Sequence, residues 1–344
     1  MAQRSVFAHT LFNISKPNST DKPPITEEKD DPLLGFFPEL DVIPIIEAVL
    51  IIPVNFWVLH AVYKKRSLRT VANYILSSLA LSDFLTGLIA IPVYLACSAI
   101  QELAICTASE MFLRFTSVST VAHLFCVTMD RFIFIMFALR YYTIVTKQRA
   151  FIIIALMWGV SLFTSLIQLA WFGVDENVHE DATNEVKKHE LRFDLFSLVV
   201  FFAIPLLVMA FVYSCIFIEI RRQNIITQKR SIPGWQEEKT NRAKERQAII
   251  TFAIMVLCYV IAWLPYFTYR IQHNFDIIPN LPIPVLYLFV YLRYATSFAN
   301  PLLYIFGKQD FRKTLPKLHR KRTSATTMSR TEIFRLSEAH PLAS

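Results

Sequence analysis

A few charged and amide side chains stand inside long apolar stretches of this sequence. The clearest are one acid, one acid–base pair and one amide next to a proline: Asp83, Asp130-Arg131 and Asn300-Pro301. Charges and amides are costly in a low-dielectric environment, so each needs water, a cation or another side chain as its partner. Carboxylate and amide oxygens can bind a small cation, and a carboxylate can pair with a guanidinium group. Mutual pairing of buried polar groups, without further function, is the alternative.

The elements that position these groups are apolar segments long enough to cross a membrane. Of the 344 residues 54% are hydrophobic and 18% charged, below the roughly 25% charged share of a soluble domain. A membrane-spanning helix needs about 20 mostly apolar residues. Seven stretches qualify, which predicts an all-α, seven-transmembrane helix bundle: Val42–Tyr63, Val71–Ile100, Ile105–Leu139, Phe151–Phe172, Leu195–Ile220, Ala248–Tyr269 and Pro282–Phe306.

The distribution of basic residues predicts the orientation of these seven spans. Most of the 35 Lys and Arg residues follow spans one, three, five and seven, so these ends are expected in the cytoplasm. We therefore expect an extracellular, disordered tail at residues 1–40 with glycosylation sites at Asn13 and Asn18. No cleavable signal peptide is apparent, and the span-containing domain covers residues 41–306. The net charge of +8 is then explained by an inner membrane-facing surface rather than by nucleic acid.

Short motifs recur in consecutive spans and in one order. They are Asn55, the run Leu79–Asp83, Asp130-Arg131-Phe132, Trp158, Pro205, Trp263-Leu264-Pro265 and the run Asn300–Tyr304, with Cys106 and Tyr213 at matching distances. Over Val42 to Lys313 this pattern resembles the rhodopsin-like (class A) G-protein-coupled receptors. The resemblance implies a plasma-membrane receptor, not an enzyme, that binds an extracellular ligand in the outer half of the bundle and activates heterotrimeric G proteins. Residues 307–344 would form a short amphipathic eighth helix and a cytoplasmic tail.

The resemblance also implies an activation switch at the inner ends of the helices. Arg131 would pair with Asp130 and with Glu245 and hold the inactive bundle closed; a solvated Glu245 is the alternative. Outward movement of span six would open a cavity for the G protein. The residues assigned to this switch are Asp130, Arg131, Glu245, Tyr213, Trp263, Pro265, Asn300, Pro301 and Tyr304. Pro301 removes a backbone donor and so leaves the carbonyl of Ser297 free for another partner.

A sodium pocket is a further implication of the resemblance. Asp83, Thr120, Ser297 and Asn300 would supply its oxygen atoms. The match is partial, because Thr120 stands where serine is usual and Thr296 where asparagine is common. Apart from this ion, no cofactor is expected.

Departures from the family pattern restrict the class of ligand. Span seven has no lysine for a retinal Schiff base, and Leu113 stands where amine receptors keep an aspartate. The loop between spans four and five has no cysteine, so Cys106 lacks its usual partner. Two free thiols are the preferred interpretation and a local Cys97–Cys106 bridge is the alternative. In the absence of this disulfide the sequence resembles the adenosine, melanocortin and lipid receptors. In having Ala138 in the run Phe137–Tyr141 it resembles the melanocortin receptors.

Charged side chains in the outer halves of the spans are candidates for ligand binding. The candidate set is Arg114, Glu110, Leu113, Arg270, Arg293 and Trp263. Guanidinium groups bind carboxylates and phosphates, often with two hydrogen bonds, which favours a ligand with an anionic group. The alternative is internal pairing, of Arg114 with Glu110 and of Arg293 with Glu47.

Two interpretations concern the wider function. The tail after residue 314 carries Ser and Thr residues near basic ones, and it could recruit a receptor kinase and arrestin; plain disorder is the alternative. These residues are Thr323, Ser324, Thr326, Thr327, Ser329, Thr331 and Ser337. A seven-span transporter or channel is the alternative to a receptor. Such proteins usually contain repeated halves, and the sequence has no internal repeat.

Overall fold

The computed structural model describes residues 38–170, 180–228, 235–274 and 282–314. In these ranges all regular structure is helical, which confirms the all-α class. Seven long helices correspond to the seven predicted spans. Span one is Pro38–Lys64. Span two is Val71–Leu85, which continues through the π-helical segment Thr86–Ala90 into Ile91–Ile100. Span three is Leu103–Met136, and span four is Lys147–Leu166. Span five is Ile204–Gln228, preceded by Glu180–Ser197 and the π-helical segment Leu198–Ala203; span six is Trp235–Asn274 and span seven Ile283–Gly307.

The helix ends differ from the expected ones where apolar residues continue beyond the helix. Span three was expected to reach Leu139, but its helix ends at Met136 and is followed by a 3-10 turn and a short helix, Tyr141–Ile144. Span four ends at Leu166 and continues as a 3-10 turn to Ala170. An apolar pattern predicts burial in the membrane, but it carries no signal for the residue at which the backbone leaves the α-helical conformation.

Six of the helices in the described ranges are long and apolar enough to cross a membrane, namely those of spans one to six. The span seven helix has 25 residues and is long enough as well, but Arg293 and Asn300 make it more polar. Large apolar side chains on the outer faces of these helices are exposed, as for Leu207 and Phe211 of span five. These faces are suited to contact with lipid, and this agrees with a protein that crosses the membrane several times.

Local sequence explains several features of the helices. Thr70 and Thr146 cap spans two and four, since their hydroxyls accept hydrogen bonds from the backbone N–H groups three residues later at 3.3 and 3.4 Å. Span two ends at Gln101, whose φ of 57° lies in the left-handed region and turns the chain sharply into span three. This turn brings the outer ends of spans two and three together.

Apolar side chains join the spans into a bundle. One buried cluster connects spans one, two and seven: Ile51, Ile91, Tyr94, Val290 and Tyr294. A second joins spans five and six through Val212, Ile216 and Ile249, with Met129 and Phe132 of span three packed against it. These clusters hold the helices against each other at their outer and inner ends, respectively, and so position the polar groups between them.

The contacts of the chain divide it into two units, Met1–Arg312 and Lys313–Ser344. All the helices described above lie in the first unit, together with a short helix at Gln309–Arg312. Phe311 of this helix is fully buried, and its ring centroid lies 5.4 Å from that of Tyr304. Of the second unit the structure describes Lys313 and Thr314.

Candidate functional site

Three of the four predicted sodium-binding residues, Asp83, Ser297 and Asn300, come together between spans two and seven. Asn300 donates a hydrogen bond to Asp83 at 3.3 Å, and Ser297 hydrogen bonds to the same carboxyl group. Thr120 is buried at 3% exposure on span three. Asn55 donates a hydrogen bond to the backbone carbonyl of Ser297 at 3.0 Å. This is the carbonyl that receives no hydrogen bond from Pro301 within the helix. The geometry provides several oxygen atoms around one buried carboxylate.

At the inner end of span three, Arg131 pairs with Asp130. The guanidinium group donates to Asp130 Oδ2 through Nε at 3.0 Å and through Nη2 at 2.5 Å. Its central carbon lies 5.9 Å from the ring centroid of Phe252 on span six. Glu245, the other expected partner, is an exposed residue of the span six helix. The ion pair that the structure shows for Arg131 is the one with its neighbour Asp130.

Tyr141 is a member of this inner network that sequence reasoning did not assign a role. Its hydroxyl donates to Asp130 Oδ1 at 2.8 Å, so both oxygens of the carboxylate accept hydrogen bonds. Burial and the neighbouring Asp130 raise the pKa of the Tyr141 hydroxyl above its usual range. Tyr141 lies in the short helix after span three. Its distance along the sequence from Arg131 is the only feature that could have suggested a role for it.

Lys308 is a second inner residue that sequence reasoning missed. It follows span seven, is buried, and donates a hydrogen bond from Nζ to Asn73 Oδ1 of span two. Asn73 in turn donates to the carbonyl of Leu68 at 2.8 Å. Burial, and then the nearby positive charge of Arg131, lower the pKa of Lys308 to about 7. The end of span seven is therefore joined to the inner end of span two.

The remaining switch residues line the centre of the bundle. Trp263 stacks on Tyr259 with ring centroids 5.9 Å apart, and the Tyr259 hydroxyl lies 3.3 Å from Ser117 Oγ on span three. Tyr213 of span five accepts a hydrogen bond from Thr128 at 3.1 Å. Pro265 lies within the span six helix, two residues after Trp263. These contacts join spans five and six to span three.

His123 connects spans two, three and four through hydrogen bonds in the core of the bundle. Its Nε2 lies 2.8 Å from Ser78 Oγ of span two, and Trp158 of span four donates to the same Oγ at 2.9 Å. Nδ1 lies 2.7 Å from the carbonyl of Ser119. This network gives Trp158 a structural role between spans two, three and four.

The outer arginines differ in their contacts. Arg114 pairs with Asp194 of the helix that leads into span five at 3.7 Å, and its guanidinium lies 4.7 Å from the Phe193 ring centroid. Both Arg114 and Asp194 line a cavity with Leu113, Trp263, Tyr266 and Phe267. Arg114 is thus paired internally with Asp194, an acid that sequence reasoning did not name.

Arg293 of span seven contacts two of the aromatic rings that line this cavity. Its guanidinium carbon lies 4.0 Å from the ring centroid of Tyr266 and 5.9 Å from that of Trp263. The side chain is 7% exposed, and its Nε and Nη1 atoms form no hydrogen bond with the residues that the structure describes. A buried guanidinium with unused donors is suited to bind an anion. The side chain of Arg270 and the residues Asn13 and Asn18 lie outside the described part of the protein.

Cys97 and Cys106 form a disulfide with their Cα atoms 4.8 Å apart. The preference for two free thiols was therefore wrong, and the local bridge is the correct interpretation. The turn at Gln101 explains why the bridge forms. Its left-handed conformation brings the end of span two next to the start of span three. Cys126, Cys215 and Cys258 are free cysteines.

Seven long helices, of which six are apolar enough to cross a membrane, surround the Asp130–Arg131 pair and a cavity between spans three, five and six, as expected of a helical membrane receptor. Residues 54–304 match the model of the 7 transmembrane receptor (rhodopsin family), and the chain belongs to this family. The chain is 31% identical to the human histamine H2 receptor over 285 residues, covering 78% of this chain and 77% of the relative. It is 29% identical to the human adenosine receptor A2a over 298 residues, covering 79% and 70%.

Family membership confirms the resemblance found in the sequence. The protein is a receptor that signals through G proteins in response to an extracellular ligand, and it is not an enzyme. It crosses the membrane several times. The alternative of a transporter or channel is not favoured.

Proposed function

We propose that this protein is a plasma-membrane receptor, with its N-terminus outside, for a ligand that carries an anionic group. The ligand would bind in the outer half of the bundle, and outward movement of span six would then activate a heterotrimeric G protein. Two relatives are named as receptors for histamine and adenosine. Leu113 replaces the aspartate expected in an amine receptor, and two nitrogens of the buried Arg293 guanidinium group have no hydrogen-bond partner among the described residues, which argues for a different ligand class here.

The observation that carries this proposal is the environment of Arg293. Two of its nitrogens are buried without hydrogen-bond partners among the described residues, and its contacts are the faces of Tyr266 and Trp263. Cation–π contacts compensate only part of the cost of burying a guanidinium group. A carboxylate or phosphate would supply charge-assisted hydrogen bonds where the protein supplies none. Arg114 already has Asp194 as its partner and would shape the wall of the cavity instead.

A panel of compounds in a G-protein activation assay tests the proposal. Transfected cells would be exposed to organic acids, lipid phosphates, amines, nucleosides and peptides. We expect responses to anionic compounds, loss of these responses in Arg293→Gln, and partial retention in Arg293→Lys, which keeps the charge but not the planar donors. Arg192→Gln is the matched control, because Arg192 is an exposed arginine on the helix before span five. An unchanged response of Arg293→Gln at equal surface expression would contradict the anionic ligand.

Activation would follow from a helix bundle with two arrangements, of which the ligand binds one better. In the closed arrangement Arg131 would be held by Asp130, with Glu245 as a further partner from span six. Opening would expose Arg131, Tyr213 and Tyr304 to the G protein. The aromatic chain from Trp263 to Tyr259 supports this route, since both side chains are buried and in contact.

A sodium ion bound at Asp83 would favour the closed arrangement. Support comes from the interactions of Ser297 and Asn300 with the buried Asp83 carboxyl group, and Thr120 is buried on span three. The test is agonist affinity as a function of sodium concentration with choline as the replacement ion. Asp83→Asn should remove the dependence on sodium; a wild-type protein without any such dependence would refute the site.

The C-terminal tail would be phosphorylated by a receptor kinase and would then bind arrestin. Its Ser and Thr residues, Thr323 to Ser337, lie outside the described residues, so the proposal rests on their number and on the adjacent run Arg320-Lys321-Arg322. Replacement of these Ser and Thr residues by alanine should abolish agonist-dependent arrestin recruitment without loss of G-protein activation. Undiminished recruitment would exclude the tail as the site.

A further inference from the structure

Exposed basic side chains gather at the inner end of span one. Residues 64–69 contain four Lys and Arg residues, of which Lys64, Arg66 and Arg69 are exposed. Arg312, on the short helix after span seven, is exposed as well. None of these four exposed side chains forms an ion pair with a residue that the structure describes. Positive groups thus reach this surface from two distant parts of the sequence.

Two short elements carry part of this charge, and they are in contact with each other. The 3-10 turn Arg66–Leu68 packs against the helix Gln309–Arg312. Leu68 is 1% exposed and Phe311 is fully buried, so an apolar side chain anchors each element. Asp310 is the single acid of the two elements. Because the elements have only three and four residues, their basic side chains lie on the same small area of the inner surface.

A chain of hydrogen bonds fixes the helix against the turn. The backbone N–H of Arg312 donates to the carbonyl of Lys308 at 3.1 Å. Lys308 Nζ donates to Asn73 Oδ1, and Asn73 Nδ2 donates to the carbonyl of Leu68 at 2.8 Å. The backbone that carries the exposed arginines is therefore ordered before anything binds to them. A binding partner then loses less free energy to the ordering of the protein.

Aromatic residues indicate the depth of this surface in the membrane. Tyr63 is 78% exposed near the end of span one, and Phe306 is 59% exposed near the end of span seven. Tyrosine is enriched at the level of the lipid headgroups, and an exposed phenylalanine at a helix end is suited to contact with acyl chains. Arg69 is held at the level of Tyr63, because its Nη2 donates to the Tyr63 carbonyl at 2.5 Å. The basic surface therefore lies at the depth of the lipid phosphates.

We propose that the turn Arg66–Leu68 and the helix Gln309–Arg312 form a site, the lipid site, for the multiply phosphorylated headgroup of a membrane phospholipid. Guanidinium groups bind phosphate oxygens with two hydrogen bonds, and basic clusters next to a span are typical of sites for anionic lipids. A headgroup with two or more phosphates can contact Arg66 and Arg312 at once, whereas a headgroup with a single charge contacts one of them. The proposal uses the orientation given in the proposed function, but lipid binding by purified protein does not depend on that orientation.

Lipid binding by the purified full-length protein in neutral detergent micelles tests the proposal. The probes are fluorescent phosphatidylinositol 4,5-bisphosphate and, at equal total charge, fluorescent phosphatidylserine, with fluorescence anisotropy as the readout. We expect saturable binding of the bisphosphate lipid and at least about tenfold weaker binding of the serine lipid. Equal binding of the two lipids would overturn the proposal, because it would show attraction to negative charge without a site.

A soluble headgroup distinguishes a lipid from a free phosphate compound. Inositol 1,4,5-trisphosphate carries the phosphates without the acyl chains. It should displace the fluorescent bisphosphate lipid at concentrations at least about tenfold higher than the unlabelled lipid does, since the acyl chains add apolar contact with the protein. Equal displacement by the soluble compound would overturn the assignment to a membrane lipid.

Variants of the exposed arginines locate the lipid site on both elements. Each basic side chain near an anionic lipid surface contributes about fivefold to binding, so Arg66→Gln and Arg312→Gln should each weaken binding of the bisphosphate lipid about fivefold and together about 25-fold. The matched control is Arg140→Gln with Lys147→Gln, which removes two exposed charges from the segment between spans three and four. This control should change the affinity less than about twofold, because the charges lie on other elements.

The outcomes separate the lipid site from general surface charge and from the proposed function. An equal loss of affinity in the control pair would overturn the lipid site, and so would a loss in only one of the two single arginine variants. A loss in both single variants with an unchanged control supports it. Binding of an anionic ligand at Arg293 is measured independently, since Arg293 lies in the outer half of span seven and Arg312 follows its inner end.

Discussion

The inner ends of spans six and seven approach each other closely at Gly307, and an alanine there should favour the open state. A Cβ atom built on Gly307 would lie 2.0 Å from Thr251 Oγ1, 2.6 Å from its Cγ2 and 2.8 Å from its Cβ. Thr251 is buried and β-branched, so its side chain has little freedom to move away. The substitution Gly307→Ala therefore pushes the two helices apart at the end where the G protein would bind.

The expected size of the effect follows from the cost of overpacking. Inserting a methyl group into a tightly packed site costs about 1 to 3 kcal/mol. If outward movement of span six relieves this strain, the ratio of open to closed protein rises about 5- to 150-fold. A basal open fraction of about 1% would then become about 5% to 60%.

Basal G-protein activation without agonist, normalised to surface expression, measures this shift. Gly307→Ala should increase it, and the double variant Gly307→Ala with Thr251→Ala should reverse most of the increase by removing the two nearest atoms. Gly159→Ala in span four is the matched control, because no atom lies within 4 Å of its Cβ position. A Gly307→Ala protein with wild-type basal activity and wild-type thermal stability would refute both the clash and its link to activation.

Three further predictions concern the inner network and the outer bridge. Arg131→Ala should abolish G-protein activation while ligand binding persists, measured by radioligand and nucleotide-exchange assays; retained exchange would exclude its role. Cys97→Ser removes a disulfide between residues nine positions apart and should lower the free energy of unfolding by about 2.5 kcal/mol. Cys106→Ser removes the same bond and should lower it equally. Thermal denaturation in detergent measures both effects. Burial lowers the pKa of Lys308 from 10.5 to about 7. The folded protein therefore binds this proton less tightly than the unfolded chain does. Its free energy of unfolding should fall as the pH drops from 10.5 towards 7. In Lys308→Met the melting temperature should depend less on pH over this range. An unchanged dependence on pH would contradict the burial of the charge.

The polar groups of the inner half were predictable because their neighbours are apolar. Asp83, Asn300 and Arg131 stand in segments that must lie in the membrane, where a charged or amide side chain is retained only if it has a partner. Spacing along one helix then restricts the partners, as for Asp130 with Arg131, and the break that Pro301 makes in the helix identified the Ser297 carbonyl as a free acceptor.

Partners that depend on a turn or on a distant segment could not be predicted in this way. The Cys97–Cys106 bridge requires the left-handed conformation of Gln101, a residue type that rarely adopts it. Arg114 pairs with Asp194, which lies 80 positions later in the sequence. Sequence alone shows that a buried charge needs a partner, but the choice among several acids depends on how the helices are rotated against each other.

Arg293 shows why an unpaired charge can be retained in the core of a receptor. A buried guanidinium with unused donors lowers the stability of the ligand-free protein, and its contacts with Tyr266 and Trp263 offset only part of this cost. An anion that binds to Arg293 supplies the missing hydrogen bonds and competes with the aromatic rings for the guanidinium group. Because Trp263 is one of these rings and also stacks on Tyr259, binding of the ligand would change the packing of span six directly. The same residue can then provide affinity for the ligand and the difference in affinity between the two states that activation requires.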